Sequence, residues 1–436
     1  VDAGNTTNEI SAFSTSGNVT GNIALDENSG GAATLTTTGS AAAVTLTGTI
    51  ASGGAGEGDI VFGNTHANGT TVTGIVGTTG IGTLEVSSGA AATFNDNVVV
   101  VAIDSTGTSN FLQSVTSTTL KTSGTINFTN AATETIAGAI TENASGNTTK
   151  MVVKNSADAA PAVLTVSGAV TVDSIEIGTA TTGGSAKFDG NVISDITVLG
   201  GNETDENNLA NLNDSNLTGS VQLSPLTGDA TLATAGSSAM TISGSVLGAA
   251  GGDSILDINN TATTTIDGTI GSSSVSLTSA DIADGADLIF DSNYYITATV
   301  LNGDGNADGT LKLDGGAAQT VASTITASAD GAGKILLSNA VGDMNFTKVI
   351  GARDTVLQLI TVEDANTVNF EKAIAVATLD IDGGTLTFSE NNNLIGENDT
   401  SGKLDIAGAP TIILTSNIAA GEIVFHADES AAADAL

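Results

Sequence analysis

"TIDGTI" occupies Thr265–Ile270, "TIAGAI" Thr135–Ile140 and "TISGSV" Thr241–Val246. In each, apolar residues hold the second and sixth places and glycine the fourth. A hexamer rewritten with those places kept marks a repeated structural unit rather than a single site. The form x-Φ-x-G-x-Φ, with Φ apolar, returns as "NVTGNI" from Asn18, "TLTGTI" from Thr45, "TVTGIV" from Thr71, "TVSGAV" from Thr165, "KFDGNV" from Lys187 and "NLTGSV" from Asn216. Degenerate copies begin at Tyr295 ("YITATV"), Thr320 ("TVASTI"), Asn345 ("NFTKVI") and Asn369 ("NFEKAI"), with weaker ones at Thr93 ("TFNDNV") and Leu414 ("LTSNI"). Most intervals are roughly 22–30 residues or about double, a period in the range of solenoids. The interval from Thr93 to Thr135 breaks the rhythm and predicts an irregular or extended turn there.

A second strand signal precedes the hexamer. "TLEV" sets Val86 eight residues before Phe94, "ILDI" sets Ile258 eight before Ile266, and "TLKL" sets Leu313 eight before Val321. Each alternates apolar and polar residues, the period of a half-buried strand. Each unit of about 25 residues thus holds two clear strands and room for a third. Its few inward aliphatics cannot offset the entropy of ordering the unit, so neighbours must stack on it and share a core. The expectation is an all-β chain: one right-handed parallel β-solenoid, or β-helix, over residues 1–436, with rungs of about 25 residues. Ile136, Ile242, Ile266, Val321 and Phe370 should face inward, with Gly138, Gly244 and Gly268 at bends and threonines outward. Tandem immunoglobulin-like β-sandwiches are the alternative, although their repeat is nearer ~100 residues.

Composition agrees with strands and turns. The 436 residues include 54 Gly, three Pro, two Tyr, and no Cys or Trp. The formal charge is −37, with ten Lys and Arg together, Arg353 being the single arginine. So few cations exclude nucleic acid and anionic membrane surfaces as partners. The longest apolar run, "NVVVVAI" (Asn97–Ile103), is too short to span a bilayer as a helix. "VDAGNTTNEI" carries no secretory signal, so the first residue follows a removed signal or opens an excerpt of a longer precursor.

Catalytic chemistry finds little support. His66 and His426 stand apart without a second histidine at ligand spacing and read as solvated turn residues. No catalytic residue is assigned. Paired-acid chemistry of a polysaccharide-active β-helix enzyme is a minor alternative, because the chain lacks the usual aromatics and cations. The tandem Tyr294–Tyr295 should put one ring inside and one outside. The strongest local motif is "DGNADG", which matches the opening of a calcium loop with Asp304, Asn306 and Asp308 as oxygen ligands. A solvated turn is the competing reading, since the twelfth position is Gly315 rather than a bidentate Glu. Residues 200–216 read as an acidic loop insertion, a second place for calcium.

"GDIVFGN" (Gly58–Asn64), "GTLEVSSGAAATFNDNV" (Gly82–Val98), "GTINFTN" (Gly124–Asn130), "GGTLTFSENNNLIG" (Gly383–Gly396) and "GEIVFHAD" (Gly421–Asp428) together carry a resemblance. In style and composition the chain resembles passenger regions of bacterial autotransporters, nearest the rickettsial outer-membrane protein B group, and is similar to bacterial surface-layer proteins. The resemblance implies an extracellular, outer-membrane-associated location, a β-helical stalk or coat, and a translocator barrel elsewhere in the precursor. Two non-enzymatic functions follow as expectations: an adhesin meeting a host or neighbour cell-surface receptor, or a self-assembling, calcium-dependent surface layer, sheath or fibre whose partner is itself.

Overall fold

The computed structural model describes residues 2–3, 10–27, 32–130, 133–143, 148–155, 162–200, 208–303, 307–339, 341–363 and 367–389, and short strands between 393 and 425. Among the described residues there is no helix. The named strand pairs are parallel, and each strand meets a partner one coil away in sequence. The chain is a parallel β-solenoid. Its internal contacts group into two units, Val1–Asn211 and Leu212–Leu436.

In the first unit each coil crosses three faces. One face stacks Ala32–Thr37 on Glu57–Phe62 and then on the second half of Val76–Val86. The next face stacks Val44–Thr47, Thr70–Val72, Ala91–Phe94, Thr108–Phe111 and Thr125–Asn130. The third joins Ile50, Val76, Val98, Val115 and Ile136. The third strand for which the sequence left room is therefore present. Side chains alternate along each strand, so every second residue enters a dry interior. Leu46, Val72, Phe94, Phe111 and Phe128 form one buried column. Its rings stack, with centroids 5.0 Å apart for Phe94–Phe111 and 5.5 Å for Phe111–Phe128. Burying each such side chain stabilises by about 1.5–3 kcal/mol.

The hexamer is the tight corner between two faces. Its first apolar residue ends one face and its second begins the next, as Val72 and Val76 do around Gly74. This explains the broken rhythm after Thr93. Phe94, Phe111 and Phe128 lie on successive coils, and their neighbours Thr93, Asn110 and Asn127 are bonded at separations of 17 residues. Through these short coils the tight corner passes from the second and third faces (Val72–Val76, Phe94–Val98, Phe111–Val115) to the third and first (Ile136–Ile140, Val166–Val170). Of the expected irregular or extended turn, the irregularity is present, as a contraction of the coil and not an extension.

The second unit repeats the scheme. Leu217, Ile242, Ile266, Phe290 and Leu313 form one inward column. Val246, Ile270, Tyr294 and Val321 begin the next, and Phe346, Phe370 and Phe388 continue it. Ile258, Ile282 and Leu301 lie on the third. The tight corner again migrates, from Ile266–Ile270 to Phe346–Ile350 and Phe370–Ile374. One assigned copy is corrected. The "YITATV" reading gave Val300 a core place, but Val300 is half-buried, and Phe290 and Tyr294 align with Ile266 and Ile270. Aromatic residues took the aliphatic places and Ser292 took the glycine's, which hid the copy.

All five residues expected inside, Ile136, Ile242, Ile266, Val321 and Phe370, are at most 1% exposed. The corner glycines are set by stacking. A Cβ on Gly168 would lie 2.4 Å from the carbonyl oxygen of Gly138, and one on Gly268 would lie 2.5 Å from that of Gly244. At both of these corners the backbone touches that of the neighbouring coil and leaves no space for a methyl group.

Candidate functional site

Of the three residues in the proposed calcium loop, Asp304 and Asn306 lie outside the described residues. Asp308 is buried, and its Oδ2 stands 3.4 Å from Nζ of Lys334. The pair follows from register, because Thr310–Leu313 pairs with Lys334–Leu337. The fold thus sets a lysine, on the neighbouring rung, against this carboxylate. Among the described residues no three His, Asp or Glu side chains gather as a metal site. Of residues 200–216, 201–207 lie outside the described residues, while Asn208–Asn213 is a strand with Ala210 and Leu212 buried.

Register also sorts the acids. Asp257 pairs with Asp281, and Glu85 with Asp104, which pairs in turn with Lys121. Asp267, Asp291 and Asp314 each follow a residue of one inward column and so stack along one edge. Burial, and after it the charges of Asp267 and Asp314, raises the Asp291 carboxyl above its ordinary value. Asp257 and Asp104 are raised by burial first, then by Asp281 and Glu85 respectively. Asp229 is raised by burial and then by Asp253. The few lysines are drawn into this field, with Lys312 3.0 Å from Asp314 and Lys150 2.7 Å from Glu176.

The two tyrosines divide as expected. Tyr294 is fully buried, and its hydroxyl lies 2.8 Å from Thr299 Oγ1, which lies 2.8 Å from Ser323 Oγ. Burial raises the phenol well above its usual range. Tyr295 is half-buried at the surface. His66, also half-buried, sits in the corner 63–69, and His426 lies outside the described residues. The Nδ1 of His66 accepts the backbone N–H of Asn68 at 3.2 Å.

Buried amides that the sequence reading missed hold the corners. Asn64 Nδ2 donates to the Ala42 carbonyl, one coil back, at 3.1 Å and its Oδ1 accepts the His66 N–H at 3.0 Å. Asn260 and Asn339 repeat the pattern, donating to Ser238 and Ala317 and accepting from Ala262 and Val341. In each case the Asn stands two residues after an inward Phe62, Ile258 or Leu337, a spacing that could have revealed it.

Among the described residues, two shallow grooves lie where a long corner neighbours short ones. One runs beneath His66 over Thr106, Gly107 and Gly124. The other, in the second unit, is floored by Tyr295, Ala322 and Thr347. Compared with family models, curated proteins and solved structures, the chain finds no match in any of the three.

Proposed function

We propose that the chain is a non-enzymatic extracellular protein of a bacterial surface, a β-solenoid stalk or coat with a structural and adhesive role. One observation carries the reading: register turns a recurring sequence into stacked inward columns and outward rows of hydroxyl, amide and carboxylate groups. Phe346–Phe370–Phe388 lies inside while Asn369 Nδ2 donates to Asn345 Oδ1 at 2.7 Å outside. Such an array can be lengthened coil by coil and displays side chains at fixed spacing, which suits a stalk or coat. The resemblance to autotransporter passengers supports the same location. Antibodies against the purified chain should label intact cells of the source bacterium. Labelling that requires permeabilised cells would count against the proposal.

A second reading is a calcium-dependent layer, sheath or fibre. The acidic edge Asp267–Asp291–Asp314 favours it, because like-charged surfaces pack closely only when a cation bridges or screens them. Electron microscopy with and without millimolar calcium separates the two. Ordered arrays that appear only with calcium support a lattice, and single particles under both conditions support a stalk or adhesin.

A further inference from the structure

In the second unit the chain leaves Ile270, swings out through residues 271–276, and re-enters at Leu277, which begins the strand Leu277–Ile282. The next corners of this column are short. Tyr295 alone separates Tyr294 from Ile296, and two residues separate Val321 from Thr324. A long corner beside short ones makes a step, and the groove runs along its foot. The step is held in shape. The Ser272 N–H donates to the Val275 carbonyl at 2.9 Å, and the Val275 N–H donates to Ser272 Oγ at 2.9 Å. Gly271 has φ of +67°, and a Cβ there would meet the Tyr295 carbonyl, so this fold-over requires glycine.

Tyr295 is fixed at the foot. Its N–H donates to the Ile270 carbonyl at 2.7 Å, and its own carbonyl accepts from Leu277 at 3.1 Å. Tyr295, half-buried, lines the groove. Hydroxyl-bearing residues line the groove with it: Ser273 and Ser276 from the step, Thr324 and Thr347 from the following rungs. Lys348, exposed, lines it as well.

The chemistry of the occupant follows from this lining. An aromatic residue offers an apolar surface, and residues whose hydroxyls both donate and accept share the groove with it. A sugar ring is the matching object, with C–H faces and a rim of hydroxyls. A hydrophobic peptide finds too few apolar atoms here. An anionic ligand meets the field of a chain of charge −37. The floor covers three rungs at about 4.8 Å each, enough for a short oligosaccharide.

We propose that this groove binds a neutral saccharide, with one sugar ring laid on Tyr295 and its hydroxyls bonded by Thr324, Thr347 and Lys348. The inference does not rest on the proposed surface location: binding can hold for a chain that is not displayed, and display can hold for a chain that does not bind.

The test is titration of the full chain with cellohexaose, maltohexaose, mannohexaose and chitohexaose, read by calorimetry and by tyrosine emission. The chain has no tryptophan and Tyr294 is sealed, so ligand-dependent emission reports on Tyr295. At least one of the sugars should bind in the millimolar range or tighter and change the emission. Tyr295→Phe should keep the affinity within roughly twofold, and Tyr295→Ala should weaken it roughly tenfold or more. Thr297 lines the groove and is exposed, so Thr297→Arg obstructs it without touching the core and should cause a similar loss. The proposal is overturned if none of the four sugars binds at millimolar concentration. It is equally overturned if Tyr295→Ala, or Thr297→Arg should Tyr295→Ala misfold, binds like the parent chain.

Discussion

Replacing Gly268 with alanine adds one methyl group, and the structure says where it goes. The new Cβ would lie 2.5 Å from the carbonyl carbon and oxygen of Gly244 and 2.5 Å from the amide nitrogen of Ser245. Ordinary carbon contacts begin near 3.5 Å, so the two corners must part by about 1 Å. All three atoms are backbone, and no side chain can turn aside. The displacement pulls on the inward neighbours Ile266 and Ile270, both fully buried. Overpacking of this kind costs typically about 1–3 kcal/mol, and a clash with backbone alone belongs at the upper end. Gly316 is the control. It lies in the same unit, is exposed, and a Cβ there would meet nothing within 4 Å. Gly316→Ala should be neutral or stabilise by up to about 1 kcal/mol through the unfolded chain. Urea unfolding followed by circular dichroism reads both variants as midpoints at unchanged slope. Equal midpoints for the two variants would refute the stacked-corner geometry.

Three further outcomes follow from the same structure. Ile266→Asp places an unpaired charge in the dry interior and should cost several kcal/mol, while Thr269→Asp, at a half-buried position, should cost far less; denaturant midpoints compare them. Asp104, Asp229, Asp257 and Asp291 have folded-state carboxyls raised by burial and by neighbouring acids, so the folded chain holds more protons than the unfolded one. Their contribution to stability therefore rises as pH falls through the raised values and is complete below the ordinary 3.8. Asp173, lowered first by the backbone hydrogen bond from Thr149, opposes them only below the ordinary 3.8, as pH falls toward its lowered value. The urea midpoint should rise from pH 7 to about pH 4, and Asp291→Asn should flatten that rise; a midpoint that falls across the window contradicts the acid ladders. Tyr294→Phe removes a satisfied hydroxyl from the Tyr294–Thr299–Ser323 chain and should cost about 1–2 kcal/mol in the same assay, leaving Tyr295 emission in place.

The inward columns were legible because they repeat. Ile136, Ile242 and Ile266 hold equal places in equal words, and all three are buried. Where chemistry changed while geometry held, the pattern was harder to see. Phe290 and Tyr294 occupy the places of Ile266 and Ile270, and Ser292 that of Gly268. A pattern keyed to glycine and aliphatics passes over such a coil. The short coils at Phe94, Phe111 and Phe128 were hidden because a fixed period cannot register a corner moving from one face to another. The split between Tyr294 and Tyr295 was legible from alternation alone. The groove beside Tyr295 was not, because it arises from a difference in corner length between neighbouring coils, and a search for what recurs discards that difference. The buried Asp308 pairs with Lys334, 26 residues later, a contact fixed by register and not by the local motif.

The central claim is that residues one coil apart are direct parallel neighbours. Engineered cysteine pairs test it without background, because the chain has no cysteine of its own. Thr241 and Thr265 are register partners, both half-buried on the outward side of their strands. Neighbouring strands lie about 4.8 Å apart, within the range a disulfide spans. Thr241→Cys with Thr265→Cys should oxidise readily in the folded chain, whereas Thr241→Cys with Asp267→Cys, two residues out of register, should not. Crosslinking of the slipped pair as fast as the registered one, or no crosslinking of the registered pair, would contradict the solenoid.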